Sequence, residues 1–403
     1  MIHSGLFAKL INISLPAILI AYISSLLIII DYLCGNYLIG NDGVIWTTIK
    51  TIKTIDNMKR ITTIWGLMIV AVALMSACCQ QQTGNFPANR KEVMDQFVAG
   101  TLDPSYVPAA FFSHFSSDAK VGEAAVQAHL KYYLRTNQDV LKVQFEQSVP
   151  KIENFTDPST WEALEPIPVD FYAPTLEVIT GLQNIAGADV YVLPTIYSPN
   201  QVSLQALGEE GIREAANNHP EEYKRLLGYY VDALNWLVDA CKSAGIEGFY
   251  MTCQGGEMKY YDIPDFFGNF VKPFDLAVMN NCVDGTRMNI LHICDWEGVY
   301  DDLTRYVDYP GQIVNTPINL NGTIFTTADG EKLFNRPVLG GLDRHGEINT
   351  ATQEELASIV KKAIADGPAG RLMIGAECTV SQAPLDNIHA AVHTAHHSGT
   401  AAK

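Results

Sequence analysis

Three residues with side chains that bind soft metals point to chemistry in this sequence: His292, Cys294 and Cys378. Residues 288–293 form an apolar, strand-favouring run, and side chains two apart on a strand lie on the same face. His292 and Cys294 are therefore predicted to point the same way at the end of a strand. A second apolar run, residues 371–375, places Cys378 just beyond its own end. One imidazole and two thiolates are a common ligand set for a zinc ion that keeps its fourth position open for chemistry.

Two simpler interpretations of these residues remain open. Buried cysteines and histidines are common in protein cores, and the spacing of the three residues is not a fixed zinc motif. Five of the eight cysteines lie in the globular region, an odd number without the close spacing of a disulfide framework. This pattern favours reduced cysteines that act as ligands. A disulfide between Cys294 and Cys378 is the alternative, since export would permit one.

The composition is that of a globular protein with a large core. The chain has 403 residues, of which 48% are hydrophobic and 18% charged. Its formal net charge of −17 argues against nucleic acid and against an anionic membrane surface as partners.

Residues 58–79 have the pattern of a bacterial secretory signal. Met58-Lys59-Arg60 is basic, residues 61–75 are apolar, and small residues precede Cys78. The cysteine directly after Ser76-Ala77 resembles a bacterial lipobox. That resemblance implies cleavage before Cys78, a lipid on this residue and a membrane-anchored location in the bacterial cell envelope.

We interpret residues 1–57 as a hydrophobic extension upstream of a true start at Met58. Residues 10–30 carry no charge and are long enough to cross a bilayer, so a membrane helix there followed by a second one is the alternative. The predicted organisation is thus an extension (1–57), a signal (58–79) and one globular domain (80–403).

Strand-like apolar runs alternate with helical runs eight times in the globular region. The predicted strands are 107–112, 140–145, 189–196, 246–251, 288–293, 312–315, 337–340 and 372–375. The predicted helices are 88–99, 121–136, 174–185, 203–217, 220–243, 264–279, 297–306, 328–334, 353–365 and 385–396. Such alternation predicts an α/β protein with a parallel sheet, and eight units predict a (β/α)8 TIM barrel.

Catalytic residues of such barrels gather at the carboxyl ends of the strands. The polar residues predicted there, besides the three possible metal ligands, are His114, Glu146, Tyr197, Gln254, Glu257, Asn315 and Asp343. Ligands on the fifth and eighth predicted strands can meet only across the mouth of a closed barrel. The predicted fold and the predicted ligand set therefore support each other.

Each candidate catalytic acid has an alternative role. Glu257 is a candidate fourth ligand or a base beside the metal, or else a solvated loop acid. Glu146 shares a strand face with Lys142 and Gln144, so it faces the barrel interior or forms an ion pair with a lysine. Asp343 orients a polar group of the substrate or caps a turn.

Several histidines are further candidates with weaker support. His114 and Tyr197 are pocket-lining candidates, although core or rim positions are the favoured interpretation for both. The terminal helix contains four histidines three and four residues apart that resemble a metal cluster: His389, His393, His396 and His397. An exposed, frayed helix end is the favoured interpretation of that group.

From residue 288 to 393 the sequence resembles the uroporphyrinogen decarboxylase superfamily, and more loosely back to about residue 107. The matching segments are Leu291-His292-Ile293-Cys294, Leu339-Gly340-Gly341-Leu342-Asp343, Thr352-Gln353-Glu354-Glu355-Leu356, Gly375-Ala376-Glu377-Cys378 and Ala383-Pro384-Leu385-Asp386-Asn387-Ile388. The resemblance implies a (β/α)8 barrel and one of two chemistries. One branch decarboxylates uroporphyrinogen without a cofactor, and the other contains zinc methyltransferases that move a methyl group between a corrinoid and a thiol. The His-x-Cys…Cys pattern of the second branch falls on His292, Cys294 and Cys378.

Departures from the decarboxylase branch favour the methyltransferase branch. Residues 108–115 contain none of the arginines that hold substrate carboxylates in decarboxylases, and Glu146 stands where that branch has an aspartate. Ala376-Glu377-Cys378 replaces its Gly-His-Gly turn.

The resemblance thus implies Zn²⁺ as cofactor, a corrinoid or corrinoid protein as methyl donor and a small thiol as substrate. The alternatives are metal-free decarboxylation of a tetrapyrrole or polycarboxylate by Glu146 and Asp343, and a lipid-anchored protein that binds a corrinoid, a porphyrin or a metal.

Overall fold

The computed structural model of the protein describes residues 89–399. The predictions about residues 1–57, the signal at 58–79 and the lipid on Cys78 therefore lie outside the described residues. Among the helices that are described, none combines the length and the apolar character needed to cross a bilayer.

Seven parallel strands form the central sheet. They are β1 (Val140–Val143), β2 (Tyr191–Tyr197), β3 (Tyr250–Cys253), β4 (Ile290–Ile293), β5 (Ile313–Asn315), β8 (Val338–Leu342) and β9 (Leu372–Ala376). Their spatial order, β1-β2-β3-β4-β5-β8-β9, follows the chain order. Two short strands between β5 and β8, β6 (Asn319–Leu320) and β7 (Thr323–Ile324), pair as a separate antiparallel hairpin. The sheet confirms the predicted parallel α/β architecture, which is TIM-barrel-like.

The first predicted strand, residues 107–112, is an extended segment with a single bridge instead of a regular strand. Ala109 pairs with Ile374 of β9 in parallel. On the other side, the backbone N–H of Asp139, just before β1, donates to the carbonyl of Ala109 at 3.0 Å. The Asp139 carboxylate also accepts the Ala109 N–H at 2.7 Å. A side chain thus takes the place of the backbone acceptor that a regular strand pair would supply. The segment thus lies between β9 and the start of β1.

Alternation along the strands separates two layers of core. One cluster of buried side chains takes a residue from each of the seven strands, for example Val140, Tyr250 and Ile290, and therefore fills the inner face of the sheet. The residues next to them, such as Leu141 and Leu291, pack outward against the helices. This pattern fixes which strand side chains face the interior.

Ten α-helices connect and cover the strands in the described part of the chain. They are α1 (Arg90–Ala99), α2 (Gly122–Thr136), α3 (Pro158–Glu162), α4 (Ala173–Ala186), α5 (Pro199–Asn218), α6 (Pro220–Ser243), α7 (Lys272–Val283), α8 (Thr327–Phe334), α9 (Gln353–Asp366) and α10 (Leu385–His396). Capping boxes begin two of the long helices: Ser198 with Gln201 at α5, and Thr352 with Glu355 at α9. Such local signals explain why most helix positions were predictable.

The predicted helix at residues 297–306 is wrong, because only one 3-10 turn, Thr304–Tyr306, forms there. The Asp302 carboxylate accepts the backbone N–H of Thr304 at 2.9 Å, and the turn begins only at that residue. Upstream, Tyr300 is fully buried and its hydroxyl donates to the carbonyl of Cys294 at 3.0 Å. The segment is therefore a loop packed against the end of β4.

Candidate metal centre

The three predicted ligands lie at the carboxyl ends of two strands. His292 is two residues after the inward-facing Ile290 on β4, so its side chain also faces the interior. The backbone N–H of Cys294 donates to the carbonyl of Cys253 at 3.0 Å, which extends the parallel pairing past β4 and keeps Cys294 in alternation. Cys378 stands two residues beyond the end of β9.

The three side chains converge. The ligand atoms of His292, Cys294 and Cys378 all lie within 4.8 Å of one another. His292 and Cys294 are buried and Cys378 is partly buried. Both cysteines belong to the described part of the chain and are free, so no disulfide joins them. The structure therefore brings these three residues to one site, and their role as metal ligands stays a prediction.

The residues present fit a zinc ion. Nδ1 of His292 is buried and has no hydrogen-bond partner among the described residues, although an unsatisfied buried polar group costs free energy. One nitrogen and two sulfur donors leave a tetrahedral ion one open position. The donor set thus matches a zinc site that keeps room for a substrate.

The pKa values of the two thiols shift in opposite directions. A hydrogen bond shared with Cys378, together with burial, raises the pKa of Cys294 well above the ordinary cysteine value. The same hydrogen bond lowers the pKa of Cys378 well below that value, and His292 and Arg344 act in the same direction. The thiolate is the form that binds metal, so the lowered pKa of Cys378 is compatible with a role as ligand.

A cavity of about 310 Å³ is lined by these three side chains. His114 and Tyr197, the two candidate pocket residues, both line it. The ring of Tyr197 stacks on Phe145 with centroids 4.6 Å apart, and this packing holds the tyrosine side chain in place at the cavity wall. The volume is at the small end of ligand-binding sites, which suits a small molecule.

Lys142 is a cavity residue whose importance the sequence reasoning missed. It lies on β1, two residues after the inward-facing Val140, and is almost fully buried. Its Nζ donates to Oε1 of Gln144 at 2.8 Å and lies 4.6 Å from the ring centroid of Tyr250. Burial lowers the pKa of Lys142 to about 8, although the nearby thiols favour the charged form. The alternation along this strand predicted a shared face for Lys142, Gln144 and Glu146, but it did not indicate that the lysine lines a cavity.

Arg344 is a second residue that was missed, and it connects the neighbours of both cysteines. Its guanidinium lies 2.5 Å from a carboxylate oxygen of Asp295, the residue after Cys294. It also lies 3.6 Å from Glu377, the residue before Cys378, and its backbone N–H donates to that carboxylate at 2.9 Å. Arg344 therefore helps to fix the separation of the two sulfur atoms. Its role arises from contacts distant in sequence, so no local signal indicated it.

Glu257 lies outside the three-residue cluster. It is buried, with 1% of its surface exposed, and accepts the backbone N–H of Gly255 at 2.5 Å. Burial raises its pKa to about 7. The interpretation of Glu257 as a solvated loop acid is therefore wrong.

The other two candidate acids have structural partners. Glu146 lies 2.8 Å from Nδ1 of His114 and 2.8 Å from Nζ of Lys120. Burial alone would raise its pKa, but the hydrogen bonds from these two partners outweigh burial and lower it. The interpretation of Glu146 as one partner of an ion pair with a lysine was correct, and the lysine is Lys120. Asp343 is exposed and accepts the backbone N–H of His345 at 2.7 Å, which is a turn cap.

The terminal histidines divide into two groups. His396 is buried, and its Nε2 lies 2.8 Å from the Asp139 carboxylate, so the interpretation of a frayed end is wrong for this residue. His389, His393 and His397 are exposed, and the rings of His393 and His397 stack with centroids 4.3 Å apart. Within the described residues, the group of metal-binding side chains that converges is the one at His292.

Comparison with solved structures shows a shared fold at low sequence identity. A methyltransferase from Methanosarcina mazei superposes with a TM-score of 0.60 at 12% identity, covering 76% of this chain and 98% of that one. A B12-independent methionine synthase from Shewanella sp. W3-18-1, in complex with selenomethionine, superposes with a TM-score of 0.47 at 11% identity, covering 72% of this chain and 97% of that one. At such identities the likeness concerns the fold alone.

The sequence comparisons give one positive result. No curated protein matches the chain. The family model described as uroporphyrinogen decarboxylase (URO-D) matches residues 140–398, which span the sheet from β1 to β9 and all three converging ligands. Because this match covers well over half of the sequence, the chain belongs to the uroporphyrinogen decarboxylase family.

Proposed function

We propose that this protein is a zinc-dependent methyltransferase that moves a methyl group between a corrinoid, free or protein-bound, and a small thiol. The observation that supports the proposal is the convergence of His292, Cys294 and Cys378 within 4.8 Å beside a cavity. The M. mazei protein with the same fold is itself described as a methyltransferase.

The residues of the cavity have distinct roles in this proposal. His292, Cys294 and Cys378 would hold a zinc ion, which supplies the charge that deprotonates a bound thiol at neutral pH. Tyr197 and Tyr250 form the walls and exclude water from the sulfur. Arg344 keeps the two cysteines at a fixed separation through Asp295 and Glu377.

His114 and Glu146 form a pair that accepts the proton lost from the thiol. His114 lines the cavity, and its Nδ1 is held at 2.8 Å by the Glu146 carboxylate. A carboxylate in this position fixes the orientation of the imidazole and leaves Nε2 to accept a proton. Glu146 therefore acts through His114 and not on the substrate directly.

A metal-free decarboxylation would use Glu146 and Asp343. In the structure Glu146 is paired with His114 and Lys120, and Asp343 caps a turn. The arrangement gives these two acids no common target, whereas the three metal-binding side chains have one.

Metal analysis combined with a thiol methylation assay tests the proposed function. We expect one zinc per chain, lost in Cys294→Ala and Cys378→Ala and retained in Cys282→Ala, which removes a buried cysteine of α7. We also expect transfer of a methyl group from methylcobalamin to a small thiol, followed by mass spectrometry of the thioether. Zinc bound without any turnover would indicate a binding protein, and activity without metal would overturn the proposal.

We also propose that the mature chain is anchored in the bacterial cell envelope by a lipid on Cys78. The support is the order of basic, apolar and small residues before this cysteine. Metabolic labelling with a fatty acid should mark the wild type and Cys79→Ser but not Cys78→Ser. An unprocessed N-terminus in the mature protein would contradict the anchor without affecting the proposed enzyme.

A further inference from the structure

A row of three histidines lies on the exposed face of α10 and at its end. His389, His393 and His397 follow one another at intervals of four residues, and all three are exposed. None of them lines the cavity beside His292. Residues four apart on a helix are neighbours on one face, with Cβ atoms about 5–6 Å apart. The helix therefore places the three imidazoles side by side on the surface.

The end of α10 is anchored to the barrel, which keeps this row in register. His396 is buried, and its Nε2 lies 2.8 Å from the Asp139 carboxylate. The opposite face of the helix is apolar and packs against buried side chains of α2 and α9, through Ile388 and Val392 among others. The exposed face thus belongs to an ordered helix up to its last residue.

The first two imidazoles of the row have ring nitrogens that make no contacts with other polar groups. Among the described residues, the rings of His389 and His393 have no hydrogen-bond or ion-pair partner. Their centroids are 6.3 Å apart, and the ring planes are inclined by 40°. Two imidazoles on one tetrahedral zinc ion have centroids about 5 Å apart, because each Zn–N bond is about 2.0 Å long. The rings therefore need to approach by about 1 Å, and exposed side chains reorient readily on this scale.

The third histidine packs on the second. The ring of His397 stacks on that of His393 with centroids 4.3 Å apart, and its Nδ1 lies 2.7 Å from the His393 carbonyl. Nitrogen lone pairs lie in the ring plane, so two stacked imidazoles do not direct them at one point. Asp386, one turn before His389, pairs with Arg135 at 3.0 Å. The ligand set is therefore the imidazoles of His389 and His393, without a carboxylate.

We propose that His389 and His393 form a second metal site, on the surface, which binds a divalent transition-metal ion through two imidazole nitrogens. Histidines four apart on one helix face are the ligand pair of helical zinc motifs. Imidazole suits zinc, copper and nickel, whereas magnesium and calcium prefer oxygen ligands. Water fills the remaining positions, so this ion exchanges with the solution and is lost on dialysis. The site involves neither the cavity nor a thiol, so the inference is independent of the proposed function.

Calorimetric titration of the zinc-loaded, dialysed protein with Ni²⁺ tests the inference. Ni²⁺ is the probe because it binds imidazole well and does not oxidise thiols. We expect the wild type to bind one further equivalent of Ni²⁺ and no Mg²⁺. His389→Ala and His393→Ala should each weaken Ni²⁺ binding by more than about 10-fold, because even a residue beyond the direct ligands costs about 10- to 100-fold when it is lost. Both variants should fold, since alanine is the best helix former.

Two controls separate this site from the rest of the row and from the buried cluster. His397→Ala, a matched change at the same helix, should leave the Ni²⁺ affinity nearly unchanged. The double variant Cys294→Ala, Cys378→Ala should keep the additional equivalent. Failure of the wild type to bind Ni²⁺, full affinity in His393→Ala, or an equal loss in His397→Ala would overturn the inference and leave the proposed function intact. Loss of the equivalent in the double cysteine variant would also overturn it, because the nickel would then occupy the buried cluster.

Discussion

Two histidines of this protein are equally buried, each with 3% of its surface exposed, but their surroundings differ completely. His396 on α10 pairs with the Asp139 carboxylate at 2.8 Å and stacks on the ring of Tyr106, with centroids 4.6 Å apart. His292 on β4 has a buried nitrogen without a hydrogen-bond partner and lies beside two thiols. Burial alone therefore does not distinguish a structural histidine from a candidate metal ligand, whereas the partners of the ring nitrogens differ between the two.

The two histidines also lie at opposite ends of the sheet. Asp139 precedes β1, so its network with His396, Arg90 and the backbone of Ala109 belongs to the amino end. His292 is at the carboxyl end of β4. In TIM barrels the amino end contributes mainly to stability and the carboxyl end to catalysis, and the two histidines lie at these two ends.

Replacing the unpaired histidine should have the largest effect, on metal content. We expect His292→Ala to lower zinc affinity by more than about 100-fold, because even a residue beyond the direct ligands costs about 10- to 100-fold when it is lost. The metal-free variant should also lose stability, because His292 is a buried ring that packs beside Tyr250, so the affinity is measured on the folded protein. Zinc titration with a competing chelator measures the affinity. A variant that retains full zinc affinity would remove the distinction between the two histidines.

The paired histidine should give the converse result. His396→Ala leaves the buried Asp139 carboxylate without one of its hydrogen-bond partners, and a hydrogen bond to a charged group is worth about 1.5–3 kcal/mol of unfolding free energy. Urea denaturation of the metal-free protein measures this loss. Zinc stoichiometry in the folded variant should remain that of the wild type, and a parallel loss of zinc would show that the two ends are coupled.

Substitution of Arg344 tests whether residues other than the three metal-binding side chains contribute to zinc affinity. Arg344→Gln removes the ion pairs with Asp295 and Glu377, so we expect zinc affinity to fall by about 10- to 100-fold. Arg344→Lys keeps the charge but loses the planar geometry, and it should recover only part of the affinity. Arg287→Gln, which removes an exposed arginine that also pairs with two acids, Asp95 and Glu247, serves as the matched control. An unchanged affinity in Arg344→Gln would show that the strand ends alone position the cysteines.

The smallest predicted effect concerns the pH dependence of unfolding stability, which depends on Asp139 at the amino end of the sheet. Burial would raise the pKa of Asp139, but His396, Arg90 and Tyr106 outweigh it and lower the pKa. A carboxyl whose pKa is lower in the folded state stabilises the protein above its unfolded pKa of about 4, and that stability is lost as the pH falls through the folded value. Asp139→Asn should therefore be about 1–3 kcal/mol less stable than the wild type at pH 7, with a smaller difference at pH 3. A difference independent of pH would show that shape and not charge is what Asp139 contributes.

The strands were predictable because each is a short apolar run between polar segments. The same alternation located His292 and Cys294 correctly, since the face of a strand follows from residue parity. On β1 the same rule placed Lys142 and Gln144 on one face with Glu146, but it gave no role to Lys142. Residue parity does not identify the partner of an inward-facing side chain. The pairing of Glu146 with Lys120 was therefore found only in the structure.

The errors of the sequence reasoning occur where distant contacts override local preference. Residues 297–306 have helix-compatible residues, but the burial of Tyr300 against Cys294 holds them in a loop. The hairpin of β6 and β7 had a signal that was not used: Asn321 and Gly322 both have positive φ, 48° and 87°, as a tight hairpin turn requires. Arg344 was invisible because its two acidic partners are far away in sequence.

The placement of the metal-binding side chains on β4 and β9, with β5 and β8 between them, has a consequence for folding. An ion held there joins two distant parts of the polypeptide across the opening, much as a covalent cross-link would. The melting temperature of the wild type should therefore rise with the concentration of free zinc, because only the folded chain brings the three donors together.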